Sequence, residues 1–226
     1  MLRPALIAAS WMTKFRSKRQ AVLSLALLVL LTGCVTRSGA PLNEALAPDL
    51  AYAYIPLKVT SPLYPEADAG GVVLGGGVAV SVAHAEKLVP SKLLIGVSRD
   101  YDLLFFRTER DQAVLARDVP RIGEKVVAYA HYEDAPYRAE GVVTALDAPV
   151  LPRCEGCAVQ TAFVFEGNAG PGYSGGPVLD AASGKLIGIV FGYLDQPSGP
   201  RRIYAYPLSR VLAELKAVQA ETPPPP

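Results

Sequence analysis

Apolar residues come along this chain in short runs, each cut off by glycine, proline or aspartate. The clearest are Val72–Val82, Leu93–Val97, Leu103–Arg107, Lys125–Ala130, Gly141–Leu146, Val159–Phe165, Pro177–Leu179 and Leu186–Phe191. Runs of this kind between turn formers predict strands, and many of them in succession predict a sandwich or a barrel. One segment departs from that rhythm. After Ser209, the residues Val211, Leu212, Leu215 and Val218 return at helical spacing, which predicts a C-terminal helix with Ser209 as its N-cap. A brief helical turn is expected over Ala85 to Leu88, and no repeat of fixed period is visible.

The N-terminus has a different pattern. Residues 1–20 carry Arg3, Lys14, Arg16, Lys18 and Arg19 with no acid, and an apolar run from Ala21 to Leu31 leads into Thr32-Gly33-Cys34. A basic stretch, a short apolar stretch and small residues before a cut site predict an export signal over residues 1–33, too short to span a bilayer. Leu31-Thr32-Gly33-Cys34 resembles a bacterial lipobox, which implies a diacylated Cys34 as the mature N-terminus, with Met1 and Met12 both open as starts. The alternative is a plain signal or anchor with a chance cysteine. Val35 offers no retention cue, so the lipobox resemblance implies an outer-membrane anchor facing the periplasm. Residues 34–54 read as a lipidated tether, 55–218 as the folded domain, and 219–226 as a Pro-rich tail.

Removing the signal changes the charge. The chain has 22 basic and 21 acidic residues, and the signal takes five of the basic ones, so the remainder carries 17 against 21, a net −4. No basic footprint for nucleic acid remains. About 190 residues suit one large β domain. Cys154 and Cys157, in Cys-Glu-Gly-Cys, are expected to pair in an oxidising compartment; a pair of free thiols is the other reading. Neither a metal-ligating cluster nor a nucleotide-cradling loop is present, so no cofactor is expected.

The chemistry concentrates in Gly172-Tyr173-Ser174-Gly175-Gly176-Pro177-Val178. A serine hydroxyl attacks a carbonyl only when a base takes its proton and nearby donors stabilise the oxyanion. Two histidines are available. His84 ends a glycine-rich apolar run, whereas His131, in Val-Ala-Tyr-Ala-His-Tyr, reads as structural.

Val82-Ala83-His84, Tyr101-Asp102-Leu103-Leu104 and Gly172-Tyr173-Ser174-Gly175-Gly176-Pro177 resemble, in this order, the three signature blocks of the trypsin-like (chymotrypsin-fold) serine peptidases. The likeness covers roughly residues 55–218. It implies an all-β fold of two six-stranded antiparallel barrels with the site in the cleft between them, and a C-terminal helix. Carried over, Ser174 is the nucleophile, His84 the general base, and Asp102 the acid that orients the imidazole, with Asp100 as its rival. The amides of Gly172 and Ser174 form the oxyanion hole. Asn168, Phe191, Gly192 and Tyr193 line a pocket for an uncharged, small or medium apolar side chain. A protein or peptide is the implied substrate, and the membrane is met through the N-terminal lipid.

Two features depart from the family pattern. Tyr173 stands where Asp or Asn is common. Only 17 residues separate His84 from Asp102, room for one strand where the family fits two, so the first barrel is expected to be shortened. Two readings stay open: a serine endopeptidase acting on exported proteins, and a non-catalytic peptide-binding or scaffold lipoprotein on the same fold. Ester or acyl-transfer chemistry on the same residues is a third.

Overall fold

The computed structural model describes residues 38–59, 67–132 and 135–221; the expected signal, Cys34 and the last five residues of the Pro-rich tail lie outside them. In chain order the elements are β1 (Ala40–Pro41), α1 (Pro48–Ala53), β2 (Tyr54–Val59), β3 (Ala67–Gly75), β4 (Val78–Ser81), β5 (Leu94–Val97), β6 (Leu104–Arg107), β7 (Lys125–Tyr132), β8 (Ala135–Val150), β9 (Gln160–Gly167), β10 (Pro177–Asp180), β11 (Leu186–Leu194), β12 (Arg201–Pro207) and α2 (Leu208–Glu221). All strand pairings between these elements are antiparallel.

The second half closes on itself. Strands β8, β7, β10, β11, β12 and β9 run in that spatial order, and β9 pairs back onto β8 to complete a six-stranded barrel, with β1 added outside β8. Alternate residues of these strands, among them Val126, Ala128, Phe163, Phe165, Ile187 and Ile203, fill the interior. The first half is a five-stranded sheet, β2-β3-β4-β6-β5, with β2 and β5 as its edges. Among the described residues the implied six-stranded first barrel is therefore one strand short. The physical reason lies in the span from His84 to Asp102, which holds two 3-10 turns (Ala83–Leu88 and Ser91–Leu93) and the single strand β5. Leu103 and the residues of β6 that follow it show how the sheet is covered on both sides. Leu103 and Phe105 face a core shared with Leu179, Ile189 and Tyr206 of the barrel and Val211 and Val218 of α2, while Leu104 and Phe106 pack with Leu57, Ala79 and Val82.

Several elements differ from the pattern-based expectation. The run Val72–Val82 is two strands, because Gly75, Gly76 and Gly77 all take positive φ and turn the chain into a hairpin. Gly141–Leu146 is the middle of a 16-residue strand. The C-terminal helix starts at Leu208, directly after β12, so Ser209 lies inside its first turn rather than at the cap. The described part of the expected tether carries β1 and α1, and Tyr54 already opens β2. Leu50, Ala53 and Tyr54 are buried there, which ties the segment to the body.

Candidate active site

The first sheet delivers a histidine and an aspartate to one rim. Strand β4 runs into the 3-10 turn that carries His84, and Asp102 lies two residues before β6, the strand paired with β4. The His84 Nδ1 stands 2.6 Å from Asp102 Oδ2, and the His84 backbone N–H donates to Asp102 Oδ1 at 3.0 Å. Two contacts to one carboxylate fix both the ring and its turn. With the carboxylate ionised, Nδ1 is the donor and Nε2 is left as the basic nitrogen. The imidazole is half exposed (51%) while Asp102 is largely covered (19%), so the outer face of the ring is open to a substrate.

The acid has further support that sequence reasoning missed. The Asp102 backbone N–H donates to the Tyr206 hydroxyl at 3.2 Å, and that hydroxyl donates in turn to Gln160 Oε1. Tyr206 is fully buried, and burial pushes its hydroxyl well above the usual tyrosine range, so it serves as a neutral hydrogen-bonding post. No local signal could have found the pair, because Gln160 is 46 residues from Tyr206 in the chain. Asp100, the alternative acid, accepts from the Ala158 amide at 3.2 Å on the loop from the barrel. That loop carries the Cys154–Cys157 disulfide.

The serine comes from the loop between β9 and β10. The Tyr173 N–H donates to Gly170 O at 3.2 Å, closing a turn with Pro171 and Gly172 at its centre, and Gly172 has φ +85°. A positive φ at the third position is the mark of a type II turn. Among the described residues, neither the Gly172 nor the Ser174 backbone N–H donates to a protein carbonyl. Two unpaired amides flanking a serine can receive a developing oxyanion.

The serine loop is also bonded to the first sheet. Gly70 of β3 donates its N–H to Ser174 O at 2.7 Å, and Gly70 O accepts from Ser81 Oγ at 2.6 Å. Ser81 ends β4, three residues before His84. The approach is so close that a Cβ on Gly175, itself at φ +77°, would lie 2.0 Å from Gly70 O. The loop of Ser174 is thus linked to the His84 turn through Gly70 and Ser81, by two hydrogen bonds and three residues of chain.

The expected pocket residues are arranged less uniformly. Asn168 Oδ1 accepts from the Glu140 N–H at 3.1 Å, which turns its carbonyl oxygen toward β8. Phe191 stacks on Tyr206 with ring centroids 3.9 Å apart. Gly192 has open space where a Cβ would sit. Tyr193 is 40% exposed and has the Arg201 guanidinium over its ring at 5.0 Å. Tyr173, the departure from the family pattern, is fully buried, with its hydroxyl donating to Ser38 O at 3.2 Å. His131, read as structural, lies on β7 opposite Pro136.

The sequence model of the trypsin-like peptidase domain matches residues 59–189. No curated protein matches the chain. Among solved structures, the active form of the Rv3671c protease from M. tuberculosis aligns with a TM-score of 0.59 at 15% identity, covering 83% of this chain and 90% of that one. The MamO protease domain from Magnetospirillum magneticum gives 0.53 at 19% identity, over 74% of this chain and 97% of that one. The HtrA-type protease AlgW with a tripeptide gives 0.59 at 16% identity, over 76% of this chain and 61% of that one. At such identities these likenesses speak for the fold.

Proposed function

Because this chain belongs to the trypsin-like peptidase family, we propose that it is a serine endopeptidase that hydrolyses peptide bonds of exported proteins. The observation that carries the reading is the 2.6 Å contact between His84 Nδ1 and Asp102 Oδ2, on the sheet to which Ser174 is itself hydrogen-bonded.

In the first step the Ser174 hydroxyl oxygen bonds to the scissile carbonyl carbon and its proton passes to His84 Nε2. Asp102 holds Nδ1–H and offsets the charge on the imidazolium. The carbonyl oxygen becomes an oxyanion, received by the Gly172 and Ser174 amides; such donors contribute about 3–4 kcal/mol each in related chemistry. Return of the proton to the leaving nitrogen breaks the C–N bond and leaves an acyl-serine. A water then attacks with the same base, releasing the acid and restoring the serine. No carboxylate stands at position 168 itself, which supports an uncharged side chain on the acyl side of the cut.

The same proposal places the protein at the membrane. Cys34, at the end of its lipobox, carries the lipid, and the domain faces the periplasm from the outer membrane. More than one acyl chain makes such an anchor stable.

The test uses the full chain, solubilised in detergent, and a fluorophosphonate probe. Wild type is expected to label, and Ser174→Ala and His84→Ala are expected not to. Asp102→Asn should lower turnover by about 10⁴-fold. A wild type that does not label, or labelling that survives Ser174→Ala, overturns the enzyme in favour of a binding module. An unaltered Asp102→Asn rate moves the acid's role elsewhere.

A further inference from the structure

The Gly170–Tyr173 turn has a property that its own residues do not guarantee. Type I and type II turns differ by a flip of the central peptide, and that flip reverses the direction of the Gly172 N–H. Proline at the second position suits both forms. Glycine at the third position permits the type II form, and a contact from outside the loop holds it. The hydroxyl of Tyr132, at the end of β7, donates to Pro171 O. In a trans peptide the carbonyl of Pro171 and the N–H of Gly172 point in opposite directions. Holding the oxygen on Tyr132 therefore turns the Gly172 amide to the opposite side, away from the tyrosine.

The ring is also packed against the turn itself. A Cβ built on Gly172 would lie 2.5 Å from Tyr132 Cε1, so the ring edge is packed against that residue. Tyr132 is in turn held edge-on by Tyr137, at 4.7 Å and 87°, and by Tyr173, at 6.3 Å and 70°. Burial pushes the Tyr132 hydroxyl up to about 12, while the Ser38 backbone amide works in the other direction. The group thus stays protonated, and able to donate, throughout the range where a histidine base operates.

Behind the cluster lies the segment that precedes β1. Ser38 is buried, its carbonyl accepts from the Tyr173 hydroxyl, and its Oγ accepts from Arg201 Nη1 at 2.6 Å. The same guanidinium nitrogen donates to Ala169 O at 3.3 Å, at the start of the serine loop.

We propose that Tyr132 is a positioning residue of the oxyanion hole: its hydroxyl holds the Pro171–Gly172 peptide in the orientation that presents the Gly172 N–H to the reacting carbonyl. This rests on the serine peptidase reading and adds to it the group that keeps the hole formed without a substrate. The hydroxyl of the tyrosine bonds to the peptide rather than to the nucleophile or the base, and acts through that peptide.

The experiment measures p-nitrophenyl ester turnover and fluorophosphonate labelling rates for the detergent-solubilised full chain, as wild type, Tyr132→Phe and Tyr54→Phe. Phenylalanine keeps the ring and removes only the donor. Tyr132→Phe is expected to lower kcat and the labelling rate by about tenfold, with KM and the melting temperature unchanged. Tyr54→Phe removes a buried hydroxyl that has no hydrogen-bond partner and should match wild type. A structural role would instead appear as a lower melting temperature with kcat and KM changing together. If wild type labels and Tyr132→Phe turns over as fast, the positioning role is wrong and the peptidase reading stands. If wild type does not label, both fall.

Discussion

The two halves of the molecule solve the problem of rigidity differently. The barrel that carries Ser174 closes through its own strands, with β9 returning to β8. The sheet that carries His84 and Asp102 stays open, and its acid-bearing turn is fixed by groups from elsewhere. Arg153 Nη1, from the disulfide loop of the barrel, donates to Ser98 O at 2.9 Å and Tyr101 O at 3.2 Å. Ser98 Oγ donates to Glu214 of α2 at 2.8 Å, and Arg210 of α2 lies 4.9 Å from the Tyr101 ring centroid. Tyr206 takes the Asp102 amide from below. Among the described residues the open sheet is tied down by cross-links from the barrel and the final helix that converge on residues 98–102. An active centre needs its acid held in place, and a complete barrel is only one way to hold it.

The contrast can be broken most severely where the halves meet. Gly175→Ala places a Cβ against Gly70 O and Ser81 Oγ at a backbone angle that alanine avoids. It should cost at least about 3 kcal/mol and abolish labelling, as read by denaturant unfolding and the fluorophosphonate probe. A smaller effect separates the halves. Arg153→Ala removes the link to the acid turn and leaves the barrel strands intact. Turnover should fall about tenfold, with faster amide exchange confined to residues 98–102 and the barrel unaffected. Equal exchange in both halves would mean that the open sheet does not depend on this cross-link.

The smallest effect belongs to the barrel alone. Asp180, at the end of β10, is lowered to about 2, first by its hydrogen bond with Glu124 and then by the Ser183 amide, with the Ala182 amide also contributing. A depressed folded pKa gives stability that is present above the unfolded value and lost as pH falls through the folded one. The loss should therefore run from about pH 4 down to about pH 2. Glu124 is shifted up, chiefly by burial, and acts in the opposite sense at higher pH. Asp180→Asn should flatten the acid limb of a urea-midpoint profile by a modest amount.

Much of this was legible in the chain. His84, Asp102 and Ser174 each lie beside an apolar run, and the short span between the first two already indicated a reduced first half. What escaped the pattern has physical causes. Strand β2 contains Pro56, which is tolerated because β2 is an edge, yet reads as a break. Strand β12 opens on two arginines, and its alternation becomes clear only once Ile203 and Ala205 face one core and Tyr206 another. Helix α1 has six residues, too few to show a helical period. Tyr132 could not be singled out at all, since its significance comes from a carbonyl 39 residues away. Tyr173 was visible as an anomaly. The structure shows it buried, with its partner in the N-terminal segment rather than in a charged pair.

That N-terminal partner has a consequence for where the molecule can work. Ser38 is held in place behind the serine loop, and Cys34 lies four residues earlier in the chain. Four residues reach at most about 14 Å when fully stretched. Were Cys34 acylated as proposed, that span would be the whole leash between the lipid and Ser38, and the body would stay close to the lipid headgroups. Such a molecule, if it faces the periplasm as proposed, would sample a thin layer of that compartment rather than its volume. Its encounters would favour chains that lie along or emerge from the same bilayer, so the membrane would limit its substrates before any pocket does.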